Sequence, residues 1–169
     1  MSVITDEIRT IDETDLQILS MLQDNGRLSN AEMARRLGMA ASAVLERVRK
    51  LEERGVIQGY TARLCPAKLG CGLLAFVLVR TEERVWQTET GRALTAIPQV
   101  QEVHHIAGED CFLVKVRARD TESLGKLLRE QFGSISTIRN TRTTIVLNTE
   151  KQTAEIVLGQ CNSEVNPDA

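Results

Sequence analysis

The chain has 169 residues, 42% hydrophobic and 26% charged, an ordinary composition for a globular protein able to bury a core. No stretch approaches the roughly 20 apolar residues of a membrane span, and the acidic opening MSVITDEIRTIDETD lacks the basic-then-apolar pattern of a secretion signal, so a cytoplasmic protein with no membrane partner is expected. The net charge of -2 gives no overall hint of nucleic acid, and any such evidence must be local.

Residues 12 to 54 predict three helices. The first starts at Asp12, a good N-cap, carries Leu16, Leu19 and Leu22 at three-residue steps with Ile18 beside them, and stops at Asn25-Gly26. The second opens with Ser29 and Glu32 spaced as a capping box, buries Met33, Ala34 and Leu37, and ends at Gly38. The third runs from about Ala41 to Arg54, stacks Val44, Val48 and Leu51 on one side, and is closed by Gly55. Two short helices joined by a glycine turn after a supporting helix describe a helix-turn-helix. At 100° per residue, the side of the third helix opposite its apolar stripe displays Ser42, Ala43, Glu46, Arg49, Lys50 and Glu53, a face able to enter a major groove. Between Arg27 and Lys50, six basic residues oppose two acidic ones, so the window carries +4 in an otherwise acidic chain. The alternative is a plain three-helix bundle with a solvated charged face.

Val56 to Ala62 predicts a short β segment, either a small wing or a strand of the connector, and Pro66 and Gly70 punctuate a linker. The expected division is a helix-turn-helix domain at 1–60, a linker at 61–70, a second domain at 71–150 and a C-terminal tail at 151–169. In the second domain, strands are predicted at Leu73 to Val79, Val100 to Ile106, Phe112 to Arg117 and Ile138 to Leu147. Helices are predicted at 84 to 96, despite Gly91, and at Thr121 to Phe132. The order βαββαβ suits a ferredoxin-like split fold with helices on one face of an antiparallel sheet, giving an α+β protein. The run from Leu73 to Val79 is apolar at every position, which implies burial on both faces. A second subunit is the simplest cover, with the chain's own N-terminal domain or tail as the alternative, and a charge at Val77 is expected to yield monomers.

Cys65, Cys71, Cys111 and Cys161 lack the CxxC spacing of zinc or redox sites and read as free thiols. His104 and His105 are adjacent on a strand and point to opposite faces, so they do not easily share a metal. Neither a metal nor a cofactor is called for.

Three segments together resemble the leucine-responsive regulator and AsnC (Lrp/AsnC) family, the feast/famine regulators. Ile11-Asp12-Glu13-Thr14-Asp15-Leu16-Gln17-Ile18-Leu19 is similar to that family's opening helix, and Asn25-Gly26-Arg27-Leu28-Ser29 to its entry into the helix-turn-helix. Leu45-Glu46-Arg47-Val48-Arg49-Lys50-Leu51-Glu52, followed by Gly55-Val56-Ile57-Gln58-Gly59-Tyr60-Thr61-Ala62, looks like its recognition helix and exit. The resemblance implies a winged DNA-binding domain joined to a βαββαβ regulatory domain, dimers that build octamers or related rings, double-stranded DNA with a roughly palindromic operator as partner, and amino acids as effectors.

On this reading Arg47, Arg49 and Lys50, with Ser42 and Glu46 toward the base edges, form the DNA contact surface, and Arg27, Ser29 and Asn30 hold phosphate at the start of the second helix. An effector pocket is implied at Ile106, Ala107, Gly108, Glu109 and Cys111, with Thr144 of the last strand nearby, at a junction between subunits. The sequence departs from the family twice. Ala40-Ala41 replaces the usual Ser-Pro at the start of the recognition helix, and Gly108-Glu109-Asp110-Cys111 replaces the usual Gly-Asp-x-Asp, so that recognition of an effector's ammonium falls to Glu109 or Asp110. Two rival functions remain at this stage: a DNA-organising protein without an effector, and a haem-precursor decarboxylase on the same fold, for which the chain offers only two histidines and 3% aromatic residues.

Overall fold

The computed structural model describes residues 11–82, 89–108 and 111–158. The described residues form two compact units: one holds those up to Arg63 together with those from Thr153, and the other lies within Leu64–Gln152.

The first unit consists of α1 (Glu13–Asp24), α2 (Asn30–Leu37) and α3 (Ala41–Glu53). Asp12 caps α1 in a complete capping box with Asp15. Ser29 caps α2 by accepting from the Glu32 amide, while the Glu32 carboxylate turns to Arg35 and Arg36, so only half of the predicted box forms. The core is Ile18, Met33, Ala34, Val44, Val48 and Leu51, with Leu19, Leu22, Leu28, Leu37 and Ile57 packed on its margin. The segment from Val56 to Ala62 carries no strand, contrary to expectation. Both the Val56 and Ile57 amides donate to the Leu51 carbonyl, at 2.9 and 3.1 Å. They close the end of α3, and the ladder bonds a strand needs are gone. The tail returns to α1 at Gln23, whose side-chain amide donates to the Ile156 carbonyl (3.0 Å) and accepts from the Ile156 amide (2.7 Å).

The second unit opens with a single 3₁₀ turn, Ala67–Leu69, and contains β1 (Leu73–Thr81), α4 (Glu89–Thr95), β2 (Val100–His105), β3 (Phe112–Ala118), α5 (Thr121–Leu127), a π turn (Leu128–Phe132) and β4 (Ile138–Ile145). The expected helix over 84 to 96 is thus seen from Glu89, its residues 84 to 88 lying outside the described ones. Gly91 suits the helix interior for a packing reason: a Cβ there would stand 3.3 Å from the Phe112 ring. The sheet is antiparallel in the order β2-β3-β1-β4, the arrangement the βαββαβ pattern predicts.

Alternation along the strands separates the two sheet faces. Ala75, Val77, Val79, Val114 and Val116 form one core with Leu94, Leu124, Leu127 and Phe132 of the helical layer. The alternate residues Leu74, Phe76 and Leu78 point to the opposite face, where Phe76 stands between Lys115 and Thr144, and Leu78 between Leu113 and Arg142. Val77 therefore belongs to the unit's own core, and a charge there unfolds the unit before it can report on assembly. Phe76 and Leu78 carry that test instead. His105 stacks on Phe112 at 5.0 Å between ring centres, whereas His104 turns the other way to Glu102. Among the described residues no helix is long and apolar enough to cross a membrane.

Candidate functional site

The turn between α2 and α3 fixes how the helix-turn-helix presents itself. Gly38 takes φ 66° and ψ 28°, a left-handed geometry that ends α2 and sends the Met39 amide back to the Ala34 carbonyl at 2.9 Å. Ala40 then begins α3 with extended backbone and no side-chain cap, so the amides of its first turn have no acceptor from the capping position.

On α3, Val44, Val48 and Leu51 are buried, and Ser42, Glu46, Arg49 and Lys50 are exposed. The Arg49 and Lys50 side chains are 60% and 63% exposed, and Glu46 lies between them, 3.2 Å from Arg49 and 3.8 Å from Lys50. Such exposed pairs along one helix are weak and salt-sensitive, so a phosphate competes with Glu46 at little cost. At the start of α2, Arg27 is exposed with its amide bonded to the Asn25 side chain, and Ser29 is exposed. Asn30 reaches a cleft of about 370 Å³ beside α3, which Leu45, Glu46, Arg49 and Tyr60 also line. The Tyr60 hydroxyl donates to Glu52 at 3.0 Å, and burial, followed by the neighbouring Glu52, pushes its pKa up.

Arg47 is placed differently from its sequence neighbours. Its Nη1 donates to Asp12 Oδ2 at 2.7 Å and to Asp15 Oδ1 at 2.8 Å, both at the head of α1. The bonds to Asp15 and Asp12, in that order, raise the guanidinium pKa, and the Asp15 amide followed by Arg47 holds the Asp12 carboxyl below the usual range. It sits on the flank of α3 nearest α1, one step from buried Val48, whereas Arg49 and Lys50 stand on the exposed face.

In the second unit, Ile106 and Cys111 face each other across the β2–β3 connection, the Ile106 amide donating to the Cys111 carbonyl at 2.9 Å. The Cys111 amide donates to Val79, and Gly108 takes φ 134°, a conformation that favours glycine. Cys111 is half-buried against the core, and Cys65, Cys71 and Cys111 are free thiols. Ala107 is exposed; Glu109 lies outside the described residues. Thr144 is not gathered with this loop. It pairs with Phe76, three residues along β1 from Val79, a spacing of about 10 Å in a strand. Among the described residues no cluster of His, Cys, Asp and Glu is arranged to hold a metal.

Comparison with known proteins agrees with this architecture in both units. Residues 11–58 match the model of a winged helix-turn-helix DNA-binding domain, and residues 74–156 match that of the Lrp/AsnC ligand binding domain. The chain belongs to the Lrp/AsnC family.

This Lrp/AsnC chain is 37% identical to the leucine-responsive regulatory protein of Escherichia coli over 153 residues, 89% of this chain and 93% of that protein. It is also 37% identical over 146 residues to the HTH-type transcriptional regulator FL11 of Pyrococcus horikoshii, covering 86% and 95% of the two chains. Among solved structures, a Neisseria meningitidis transcriptional regulator in complex with L-methionine superposes with a TM-score of 0.83 at 27% identity, over 90% of this chain and 99% of the other. A feast or famine regulatory protein of Mycobacterium tuberculosis complexed with L-methionine superposes at 0.80 with 34% identity, over 87% and 99%. This chain is therefore a DNA-binding transcription regulator of the Lrp/AsnC type.

Proposed function

We propose that this regulator enters the major groove with the exposed face of α3, Ser42 and Glu46 toward base edges and Arg49 and Lys50 toward phosphates, while Arg27, Ser29 and Asn30 hold a phosphate at the start of α2. The observation that carries the reading is the α3 stripe: two cations more than half exposed, held only by weak pairs along their own helix, opposite a fully apolar anchor. Ser29 supports the second contact, since capping uses its oxygen as acceptor and leaves the hydroxyl proton for a phosphate.

The protein works in the cytoplasm as a homodimer built on the sheet face of Phe76, Leu78 and Leu113, with larger rings up to an octamer assembled from dimers. Twofold symmetry then sets two copies of α3 on half-sites of a pseudo-palindromic operator, about one helical turn apart. The effector is an amino acid, with methionine the first candidate because two structural relatives hold it. It is recognised by Ile106, Ala107, Gly108 and Cys111, with Thr144 joining across the junction between copies and Glu109 supplying the carboxylate for its ammonium. The distance along β1 between Cys111 and Thr144 favours a pocket completed by a neighbour over one enclosed by a single chain.

Selecting bound duplexes from a random pool, with and without L-methionine, tests this directly. A palindromic consensus whose enrichment changes with the amino acid supports the reading. Enrichment that ignores every amino acid, together with an unshifted melting temperature, rejects the effector part and leaves a constitutive DNA organiser.

A further inference from the structure

The bonds around Arg47 form a closed circuit. Asp12 uses Oδ1 to accept the Asp15 amide at 2.8 Å and Oδ2 to accept from Arg47. Asp15 uses Oδ2 to accept the Asp12 amide at 3.3 Å and Oδ1 to accept from Arg47. The capping box that starts α1 is thus the same object as the ion pair that holds α3. Its inner half is sheltered, with the Asp15 side chain 10% exposed and that of Arg47 32%, while Asp12 on the outer side is 52% exposed. Elsewhere in this unit, the Arg35 and Arg36 pairs with Glu32, and the Arg49 and Lys50 pairs with Glu46, each join residues three or four apart on one helix and orient nothing beyond it.

We propose that Arg47 is a positioning residue for DNA recognition: with Asp12 and Asp15 it clamps the flank of α3 to the head of α1, fixing the rotation at which Arg49 and Lys50 meet the duplex, and makes no phosphate contact itself. The proposal rests on the reading of α3 as the DNA-facing helix. Three physical points carry it. First, both carboxylates bond the guanidinium, so the cluster of one cation and two anions bears a formal charge of −1 and offers a phosphate no attraction. Second, a phosphate that captured Arg47 would strip its partner from Asp15, a carboxylate that solvent reaches poorly, and leaving such a group unpaired is costly. Third, the two contacts lie on α1, so they resist rotation of α3 about its own axis, the motion to which base-edge and phosphate contacts are most sensitive.

The test uses the full-length protein and a duplex selected from a random pool with the wild type. Affinity is measured across a salt series, well below the melting transition of each variant. Arg47→Met should lose affinity on the order of tenfold, in the range of network couplings, with the slope of log affinity against log salt unchanged. Arg49→Ala should lower that slope by about 1.8, the signature of one phosphate contact from each copy of α3 in the dimer. Arg47→Lys, which can still reach a carboxylate, should recover part of the loss. A slope reduced in Arg47→Met as in Arg49→Ala overturns the clamp, and so does wild-type affinity in Arg47→Met. Should Arg47→Met fail to fold, Asp12→Asn decides by sign. Removing a negative charge weakens DNA binding if the clamp orients α3, whereas strengthened binding shows Arg47 freed for phosphate and refutes the proposal. Wild-type affinity and slope in Arg49→Ala together with Lys50→Ala would instead overturn the DNA-facing role of α3, and the clamp with it.

Discussion

Two neighbouring substitutions on one strand, Val77→Asp and Leu78→Asp, should give opposite outcomes although both place a carboxylate in the same apolar run. Val77 is fully buried in the core between sheet and helices, where its strand partners are Val114 and Thr143. An unpaired carboxylate there costs several kcal/mol, comparable with the whole stability of a small domain, about 5 to 15 kcal/mol. Val77→Asp is therefore expected to melt the second unit. Leu78 is half-buried on the opposite face with Arg142 across from it, so in a lone chain Leu78→Asp should cost no more than about 1 kcal/mol. In a twofold dimer formed through that face the charge appears twice, and about 2 to 3 kcal/mol for each copy weakens association by some 10³- to 10⁴-fold. Circular dichroism melts combined with light scattering at micromolar concentration separate the two cases. A Leu78→Asp protein that keeps the wild-type mass refutes the sheet-face dimer. A Val77→Asp protein that melts like the wild type refutes the assignment of the faces.

Replacing Arg49 and Lys50 together by Ala should remove two phosphate contacts from each copy of α3, four per dimer, lowering the salt slope by about 3.6 and affinity near 0.15 M salt by roughly 10³-fold; fluorescence anisotropy on a selected duplex reads both. Gly38→Ala should destabilise the helical unit by about 1 kcal/mol from backbone conformation alone, because no atom stands within 4 Å of the added Cβ, and Gly38→Asn should recover much of it; thermal melts decide. The Asp12 carboxyl is held below its ordinary 3.8 by the Asp15 amide and then Arg47. A depressed carboxylate adds stability that is present above its unfolded value and lost as pH falls through the folded one. Acid melts of the wild type should thus lose stability below about pH 4, with that part of the loss absent from Asp12→Asn.

Much of this was legible from residues alone, because both domains advertise their periods. Buried Met33, Ala34, Val44, Val48 and Leu51 repeat at helical spacing, and Phe112, Val114, Val116 and Ala118 alternate with Leu113, Lys115 and Arg117 at strand spacing. The central strand was harder. Where all seven residues from Leu73 to Val79 are apolar, polarity carries no parity, and only the register against Lys115 and Arg117 shows that Phe76 and Leu78 point outward. The partners of Arg47 were hidden for a related reason: the sign of a charge is visible in sequence, but the carboxylates that hold it lie more than thirty positions away. The absent strand at Val56 to Ala62 shows local composition yielding to the closure of α3.

The grip of Gln23 on the tail has an evolutionary corollary. A carboxamide that both gives and takes a hydrogen bond at one residue copies what a neighbouring strand would do, and it reads main-chain atoms without sensing the side chain between them. Ile156 leaves two-thirds of its surface open, so a change of side chain at that position should cost little, whereas a change at Gln23 removes both bonds. Substitution should be tolerated on the tail and penalised on the helix, and the length of chain before Ile156 should vary less than its lettering.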